Sequence, residues 1–380
     1  MFYRLFIFFI FLYPLYASEQ KVPISRNSVL TFDEIIKILE TKKDELNKIK
    51  NHKDLKNFTC LPLNLKKGQK DPLVPKIRKK LLIRNYIQSS DVDSDLYDLT
   101  IENGIKQFQE DNSIDNDGVF GMRTCLIFNQ SESALIQQIE KTIHKIKEEN
   151  IKEKKRKIIV NAGTYQAFTV DVDGTIDHIQ AAVLGMKTRQ TPLMDSKISQ
   201  IVLNPYWGVP SSILFKDKLK KIIANPNYLD ELQYQVFDSS NREVDAEDID
   251  WAMYTEKNFP YYIRQKPGKY NALGNIKFIL NNKNAIYMHG SPEEKDFKRK
   301  ERTFSSGCIR LEYPIDIAIW ILKGTSYSEE RIESFLDEEK TVYIDLNKKI
   351  EAHVVAWPVF INEDRQVIFG NSFYTEDVKK

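Results

Sequence analysis

The sequence predicts an α+β protein: a helical amino-terminal part, then a mainly β domain that carries a helical insertion. Three observations predict it. Up to about residue 156, apolar residues recur at the three- and four-residue spacing of amphipathic helices. From Ile158 onwards, short runs alternate apolar and polar residues with the period of strands. Between Ser211 and Tyr262 this alternation gives way to helical spacing and an acidic stretch, so we expect an insertion that caps the sheet.

Length and composition limit the possible functions. The 380 residues suffice for two or three domains, and an apolar content of 42% is ordinary for packed globular cores. A formal charge of +2 indicates no nucleic-acid partner. The basic run at residues 152–157 has glutamates beside it and is expected to be a solvated connector. Neither His-Glu-x-x-His nor paired Cys-x-x-Cys occurs, so no metal site and no cofactor are predicted.

Residues 1–17 have the pattern of a signal peptide, with one basic residue, a short apolar core and Ala17 at the exit. The apolar run is shorter than the roughly 20 residues of a spanning helix, which favours cleavage after Ala17. An uncleaved anchor associated with the inner membrane is the alternative. Export leads to an oxidising compartment, where Cys60 and Cys125 could pair and leave Cys308 free. Two separate buried thiols are the alternative to that pair.

Three segments are predicted between the signal and the β domain. Residues 18–73 are expected to form a helical region, opened by a capping box of Thr31 and Glu34, and then a linker rich in proline and glycine. Residues 74–130 predict a compact module of three helices. Residues 131–156 carry apolar residues on one helical side and are expected to form a connecting helix.

The β domain, residues 157–380, is predicted from a series of short strands. They are expected at 158–161, 167–172, 178–183, 198–203, 276–280 and 285–288, with a helix over 314–322 and a final hairpin over 354–369. The insertion is expected over about 211–262.

Cys308 is the candidate nucleophile. It follows two serines and Gly307, precedes Arg310, and has His289 a short distance upstream. A thiol attacks as the thiolate, so it needs a base or a positive field to ionise it. Small residues before the cysteine leave backbone amides accessible to a developing oxyanion. The pattern predicts acyl transfer through a thioester, whereas a small buried hydrophobe is the alternative for a lone cysteine.

Five motifs stand out in the β domain: Asn204 to Ser211, Ile263 to Gly268, Asn271 to Gly274, Tyr287 to Pro292 and Phe304 to Arg310. They resemble those of the L,D-transpeptidases with a YkuD-type catalytic domain, and most closely the larger, capped Gram-negative branch (YcbB-type). The resemblance covers residues 157–380 and implies a sandwich-like, mainly β catalytic domain with a cap. Many family members have His where this chain has Ser306, and the capped branch is similar to this chain in using Ser.

The resemblance implies a role for each residue of the catalytic set. Cys308 is expected to be the nucleophile and His289 the group that takes its proton or holds it as an ion pair. The carbonyl of Gly290 is expected to orient the imidazole. Gly307 is expected to belong to the catalytic set, in a turn whose backbone amides could bind the oxyanion. Tyr287 shares a strand face with His289 by alternation and could donate to the oxyanion or simply pack.

Four further residues are expected to bind substrate: Arg310, Ser306, Trp207 and Arg264. The planar fork of Arg310 matches a carboxylate in geometry. A structural ion pair with Glu312 is the alternative for this arginine.

The implied reaction begins with attack of Cys308 on the carbonyl between a diamino acid and the terminal D-alanine of a tetrapeptide stem. D-Alanine leaves, and the amine of a second stem resolves the thioester to form a cross-link. Water as acceptor would make the enzyme an L,D-carboxypeptidase, and a protein acceptor would make it a tethering enzyme. The implied partners are peptidoglycan stems and glycan, in the periplasm or cell envelope.

The three-helix module resembles a peptidoglycan-binding domain. The resemblance lies in Phe108 with its flanking glutamines and in the turn at Asp117-Gly118. A calcium loop is excluded, because Thr124 falls where a bidentate Glu is needed.

Two other classes of function fit the sequence less well. A papain-like protease would want an Asn or Asp partner and its own flanking signature, and neither is apparent. A catalytically silent wall-binding scaffold is disfavoured because Cys308 and His289 are both present.

Overall fold

A computed structural model describes residues 30–60, 64–88, 91–151, 154–370 and 372–375, and the side chains of residues 149–151 are left out of that description. The predicted signal peptide lies outside these ranges. Among the residues described, no helix combines the length and apolarity needed to cross a membrane. The elements before the large sheet are β1 (Leu30–Thr31), α1 (Phe32–Ile49), β2 (Asn64–Leu65), α2 (Val74–Ile83), α3 (Leu99–Asp111), β3 (Phe120–Gly121), α4 (Met122–Phe128) and α5 (Glu132–Ile151).

Helix α1 begins as predicted. The hydroxyl of Thr31 accepts from the Glu34 amide, and the Glu34 carboxylate accepts from the Thr31 amide, which completes the capping box. Helix α5 carries the apolar stripe that the sequence predicts. It packs along α1, and both helices cover the outer face of the large sheet. It is therefore part of a packed layer as well as a connection.

The small module contains the three predicted helices, α2 to α4, around one apolar core. A disulfide joins Cys60 and Cys125, so the predicted pair is confirmed. The side-chain amide of Gln109 donates to Asp117, and its carbonyl accepts from the Gly118 amide at 2.8 Å, which fixes the Asp-Gly turn.

The predicted boundary between the linker and the module, at residues 73 and 74, is wrong. β2 pairs with β3, and Lys70 forms a bridge with Leu96, so residues 64–73 already belong to the module. The apolar side chain of Leu65 is buried there, although the stretch is rich in proline and glycine.

The β domain is built on one large sheet. Its strands and helices, with those of the cap, are β4 (Lys157–Asn161), β5 (Gln166–Val170), β6 (Thr175–Gly185), β7 (Met194–Leu203), β8 (Trp207–Gly208), α6 (Ser211–Ile213), α7 (Leu219–Ala224), α8 (Tyr228–Glu231), β9 (Tyr234–Phe237), β10 (Glu243–Val244), β11 (Tyr262–Gln265), β12 (Ile276–Leu280), β13 (Tyr287–His289), β14 (Thr303–Ser305), β15 (Ile309–Leu311), α9 (Pro314–Leu322), α10 (Glu329–Asp337), β16 (Val342–Val355), β17 (Val359–Ile361) and β18 (Val367–Phe369).

The large sheet has the order β6-β15-β13-β12-β7-β16-β4-β5, and β5 pairs again with β6, so its two ends meet. β1 and β14 add to β6. Strands around the whole ring place side chains in one apolar core, which α9 and α10 complete. The predicted strands and the predicted helix at Pro314 are present. β16 and α10 were not predicted.

The insertion is only partly helical. Helices α6 to α8 and a turn of π-helix (Leu214–Lys218) precede strands β9 and β10, which join β11 and β8 in a second, four-stranded sheet. The cap has its own apolar core, in which Tyr228, Tyr234 and Trp251 pack. The expectation of a helical cap is thus corrected: pairing with β8 and β11 draws part of the insertion into strands.

Candidate active site

Strands β13 and β15 bring the predicted catalytic residues together. They are parallel neighbours, with Met288 opposite Ile309 and His289 opposite Arg310. Cys308 stands one residue before β15 and therefore beside Tyr287. Met288 and Ile309 point into the main core, so Tyr287 and His289 share the other face of the sheet, as the alternation predicts. The ring centres of Tyr287 and His289 lie 5.5 Å apart.

The turn before Cys308 is held by the hydroxyl of Ser305. It accepts from the Gly307 amide at 3.0 Å and donates to the carbonyl of Cys308 at 2.5 Å. Gly307 has φ of +120°, a region that other residues rarely adopt. The hydroxyl of Thr191 donates to its carbonyl at 2.8 Å. These contacts fix Cys308 at the start of β15.

The same contacts engage the backbone of Gly307. In this conformation its amide donates to the hydroxyl of Ser305, so this amide is not available to another acceptor. Gly307 shapes the turn through its backbone conformation.

His289 is buried, and its Nδ1 lies 2.5 Å from the carbonyl oxygen of Gly290. Because a carbonyl only accepts, Nδ1 carries the proton and Nε2 is left as the basic nitrogen. Burial, followed by the nearby charge of Arg310, lowers the pKa of His289 to about 3. The imidazole is thus neutral at physiological pH and able to receive a proton.

Cys308 is half-buried, and its thiol is surrounded by groups that favour negative charge. Burial raises its pKa, which the amide and hydroxyl of Tyr287 oppose by donating to the sulfur, and Lys277 and Arg310 oppose by their charge. Burial also raises the pKa of Tyr287, so its hydroxyl stays protonated as a donor. The resting pair is a neutral thiol and a neutral imidazole, which favours proton transfer during attack over a preformed ion pair.

Arg310 is half-buried, and its guanidinium pairs with the carboxylate of Asp296 at 3.2 Å. The alternative of a structural ion pair was expected with Glu312; the structure gives Asp296 as the partner. Asp296 lies in the loop between His289 and Cys308, and Arg299 of that loop also pairs with it, at 3.6 Å. The ion pair therefore orders the loop that joins the two candidate catalytic residues.

Comparison with known proteins identifies the family of the β domain. The family described as the L,D-transpeptidase catalytic domain (YkuD) matches residues 155–344, which contain Cys308, His289 and the cap. This chain belongs to that family. A candidate L,D-transpeptidase of Haemophilus influenzae is 37% identical over 188 residues, which cover 49% of this chain and 38% of the relative. The chain thus matches well under half of that relative's length.

Solved structures of L,D-transpeptidases are similar to this chain at lower sequence identity. The enzyme from Stackebrandtia nassauensis is 12% identical with a TM-score of 0.27, over 78% of this chain and 97% of that one. L,D-transpeptidase 3 from Mycobacterium tuberculosis is 11% identical with a TM-score of 0.25, over 52% of this chain and 60% of that one. Likeness of this degree does not align individual site residues.

Trp207 of the L,D-transpeptidase domain was expected to bind substrate, but its side chain is buried in the cap core. Its indole interacts by hydrogen bonding with the hydroxyl of Tyr287. It also faces the ammonium of Lys218, 5.1 Å from the ring centre. Burial leaves little of the indole accessible, which does not favour direct contact of Trp207 with a ligand.

Arg264 lies away from Tyr287. In the pairing of β11 with β8, Arg264 is opposite Gly208, whereas Gln265 is opposite Trp207. Opposite residues share a face, so Arg264 leaves the cap sheet on the side away from Trp207. There its guanidinium stacks between Tyr206 and Phe237, at 4.6 and 4.4 Å from the ring centres. Ser306, by contrast, is exposed next to Cys308.

Two residues near the catalytic set were not predicted. Lys277 stands opposite His289 on β12, and its amine lies 4.0 Å from the centre of the Tyr287 ring. Lys218 of the cap donates to the hydroxyl of Tyr234 at 2.7 Å, and burial lowers its pKa to about 8. Alternation along β12, paired with β13, would have placed Lys277 on the face of the sheet that carries Tyr287 and His289. The cap supplies no such regular signal for Lys218.

Proposed function

We propose that this protein is a peptidoglycan L,D-transpeptidase that forms cross-links through a thioester on Cys308. The observation that supports it best is the arrangement around the sulfur. Tyr287 donates to it, the guanidinium of Arg310 provides positive charge, and a neutral imidazole stands on the next strand. These are the groups that an attacking thiol and an oxyanion require.

The first half-reaction begins with a tetrapeptide stem. As the sulfur of Cys308 bonds to the carbonyl carbon between the diamino acid and D-alanine, its proton passes to Nε2 of His289. The carbonyl oxygen becomes an oxyanion, for which the hydroxyl of Tyr287 and the amide of Cys308 are the candidate donors. Collapse of this intermediate breaks the C–N bond. The nitrogen of D-alanine takes the proton from His289 and leaves.

The second half-reaction starts from the thioester. The side-chain amine of another stem attacks the same carbonyl, loses a proton to His289, and forms the new amide. The proton returns to the sulfur of Cys308 as it leaves, so the enzyme is regenerated. Water in place of the amine would give a tripeptide and make the protein an L,D-carboxypeptidase, and an amine on a protein would give tethering.

The remaining parts of the chain fit action in the cell envelope. The Cys60–Cys125 disulfide supports an oxidising compartment, in line with the signal peptide expected over residues 1–17. The module around the disulfide is proposed to bind peptidoglycan. Its Lys300–Glu110 ion pair with the β domain joins it to the loop between His289 and Cys308.

The test is incubation of the purified protein with defined tetrapeptide muropeptides, with products resolved by mass. Cross-linked dimer and free D-alanine are expected from the wild type, and neither from Cys308→Ala with an unchanged fold. Tripeptide alone would identify a carboxypeptidase. Undiminished product formation by Cys308→Ala would refute the thioester mechanism.

A further inference from the structure

Lys277 is a cation on the active-site face that the steps above leave without a chemical task. It stands directly opposite His289 in the pairing of β12 with β13, so both side chains leave the sheet on the same side. Its neighbours Ile276 and Phe278 point the other way, into the main core. The amine crosses towards Tyr287 and lies over its ring, 4.0 Å from the centre.

No carboxylate balances this charge. Within the described part of the chain, no Asp or Glu lies at ion-pair distance from the Lys277 amine, whereas Arg310 is paired with Asp296. Burial lowers the pKa of Lys277, and Cys308 is the group that raises it. A half-buried cation without a counter-ion is costly, so its position indicates a partner that becomes negative during the reaction.

We propose that Lys277 is the counter-charge for the Cys308 thiolate and for the oxyanion that replaces it. This proposal rests on the proposed function, since it takes Cys308 as the nucleophile. Lys277 keeps its proton throughout: the proton of the thiol goes to His289 and then to the departing amine. The charge of Lys277 favours the thiolate and disfavours the imidazolium, so the proton on His289 moves on to the leaving group.

A purely structural role for Lys277 would be to hold the Tyr287 ring by a cation–π contact. The two roles differ in what a charge-free side chain would change. Lys277→Met keeps an unbranched chain of similar length over the ring but removes the charge. Lys277→Arg keeps the charge.

The experiment measures the rate at which iodoacetamide alkylates Cys308 in the full chain between pH 6 and pH 11.5. In Lys277→Met the midpoint of the rate profile should rise by about one pH unit, and the rate at pH 7 should fall about tenfold. Lys277→Arg should stay within about threefold of the wild type. Lys283→Met, in the exposed turn of the same hairpin, is the matched control and should leave the profile unchanged.

An unchanged midpoint in folded Lys277→Met would overturn the proposal. If that variant fails to melt cooperatively, the titration of Lys277 itself decides, followed by NMR on protein with ¹³C-dimethylated lysines. Because Cys308 raises the pKa of Lys277, that pKa should fall in Cys308→Ala, and an unaltered titration would overturn the proposal. Alkylation needs no peptidoglycan, so failure with muropeptides would refute the proposed function and leave this result standing.

Discussion

Trp207 in the cap sheet and Tyr287 on the active-site strand are neighbours, and the indole interacts with the phenol and lowers its pKa. The two residues belong to different sheets, so this interaction links the cap to the groups around Cys308. Because Tyr287 also interacts with the sulfur and lowers the pKa of Cys308, loss of the indole should change the reactivity of the thiol.

Trp207→Phe keeps an aromatic ring in the cap core but removes the indole donor. We expect acylation of Cys308 by a carbapenem, followed by intact mass, to slow about fivefold to tenfold, the loss of roughly one hydrogen bond. Trp251→Phe is the matched control. The indole of Trp251 packs in the same core and donates to the carbonyl of Ala246 at 3.0 Å. Equal slowing in both variants would mean that only cap packing had been disturbed.

His289 should make stability depend on pH. Burial lowers its pKa to about 3 in the folded protein, whereas an unfolded histidine titrates near about 6.5. Between these values the unfolded chain binds a proton that the folded chain does not, so stability falls as the pH is lowered through this window. At pH 5 this histidine alone should remove roughly 2 kcal/mol of the free energy of unfolding relative to pH 7.

The measurement is urea unfolding at pH 7 and pH 5 for the wild type, His289→Gln and His144→Gln. The first variant should lose less stability between the two pH values than the wild type does. The second removes an exposed histidine and should behave as the wild type. An equal loss in all three proteins would contradict the buried, neutral state of His289.

Local patterns predicted the parts of the site that depend on neighbouring residues. The alternation along residues 285–289 placed Tyr287 and His289 on one face, and the Gly-Cys-x-Arg run marked Cys308. These local patterns contain no information about which distant segments pair. Lys277 lies on the face of the site because β12 pairs with β13. Trp207 is buried because β9, β11 and β8 pair in the cap sheet.

The unpredicted strand β16 has a specific cause. Its middle carries polar residues around Lys348 and Lys349, and its register with β7 shifts between Asp345 and Ile350. The shift breaks the alternation that would mark a strand. The extended conformation is set by pairing with β7 and β4.

The disulfide should stabilise the small module without affecting the catalytic chemistry. Cys60 and Cys125 are 65 residues apart in sequence, and cross-linking a loop of that length is expected to contribute about 4 kcal/mol. Cys60→Ala combined with Cys125→Ala should lower the melting temperature of the module in calorimetry. Acylation of Cys308 should change by less than about twofold. Wild-type protein treated with reductant should melt like the double variant, and an unaltered melting curve in both would refute the contribution.

The cap should govern the fate of the thioester. A bidentate ion pair anchors the cap: the guanidinium of Arg189 donates to the two carboxylate oxygens of Asp217 at 2.7 and 3.2 Å. Arg189 lies two residues before Thr191, which holds the carbonyl of Gly307. The anchor therefore joins the cap to the loop that supports the Cys308 turn. Loosening it should admit water, which competes with the acceptor amine.

Asp217→Asn should shift the muropeptide products from cross-linked dimer towards trimmed tripeptide, by about threefold in their ratio. Alkylation of Cys308 should be kept, because no group around the sulfur is altered. Asp238→Asn is the matched control, since Asp238 pairs with Arg242 at 2.8 Å within the cap and away from the anchor. A ratio that stays constant in Asp217→Asn, or that shifts equally in both variants, would show that the Arg189–Asp217 anchor does not protect the thioester from water.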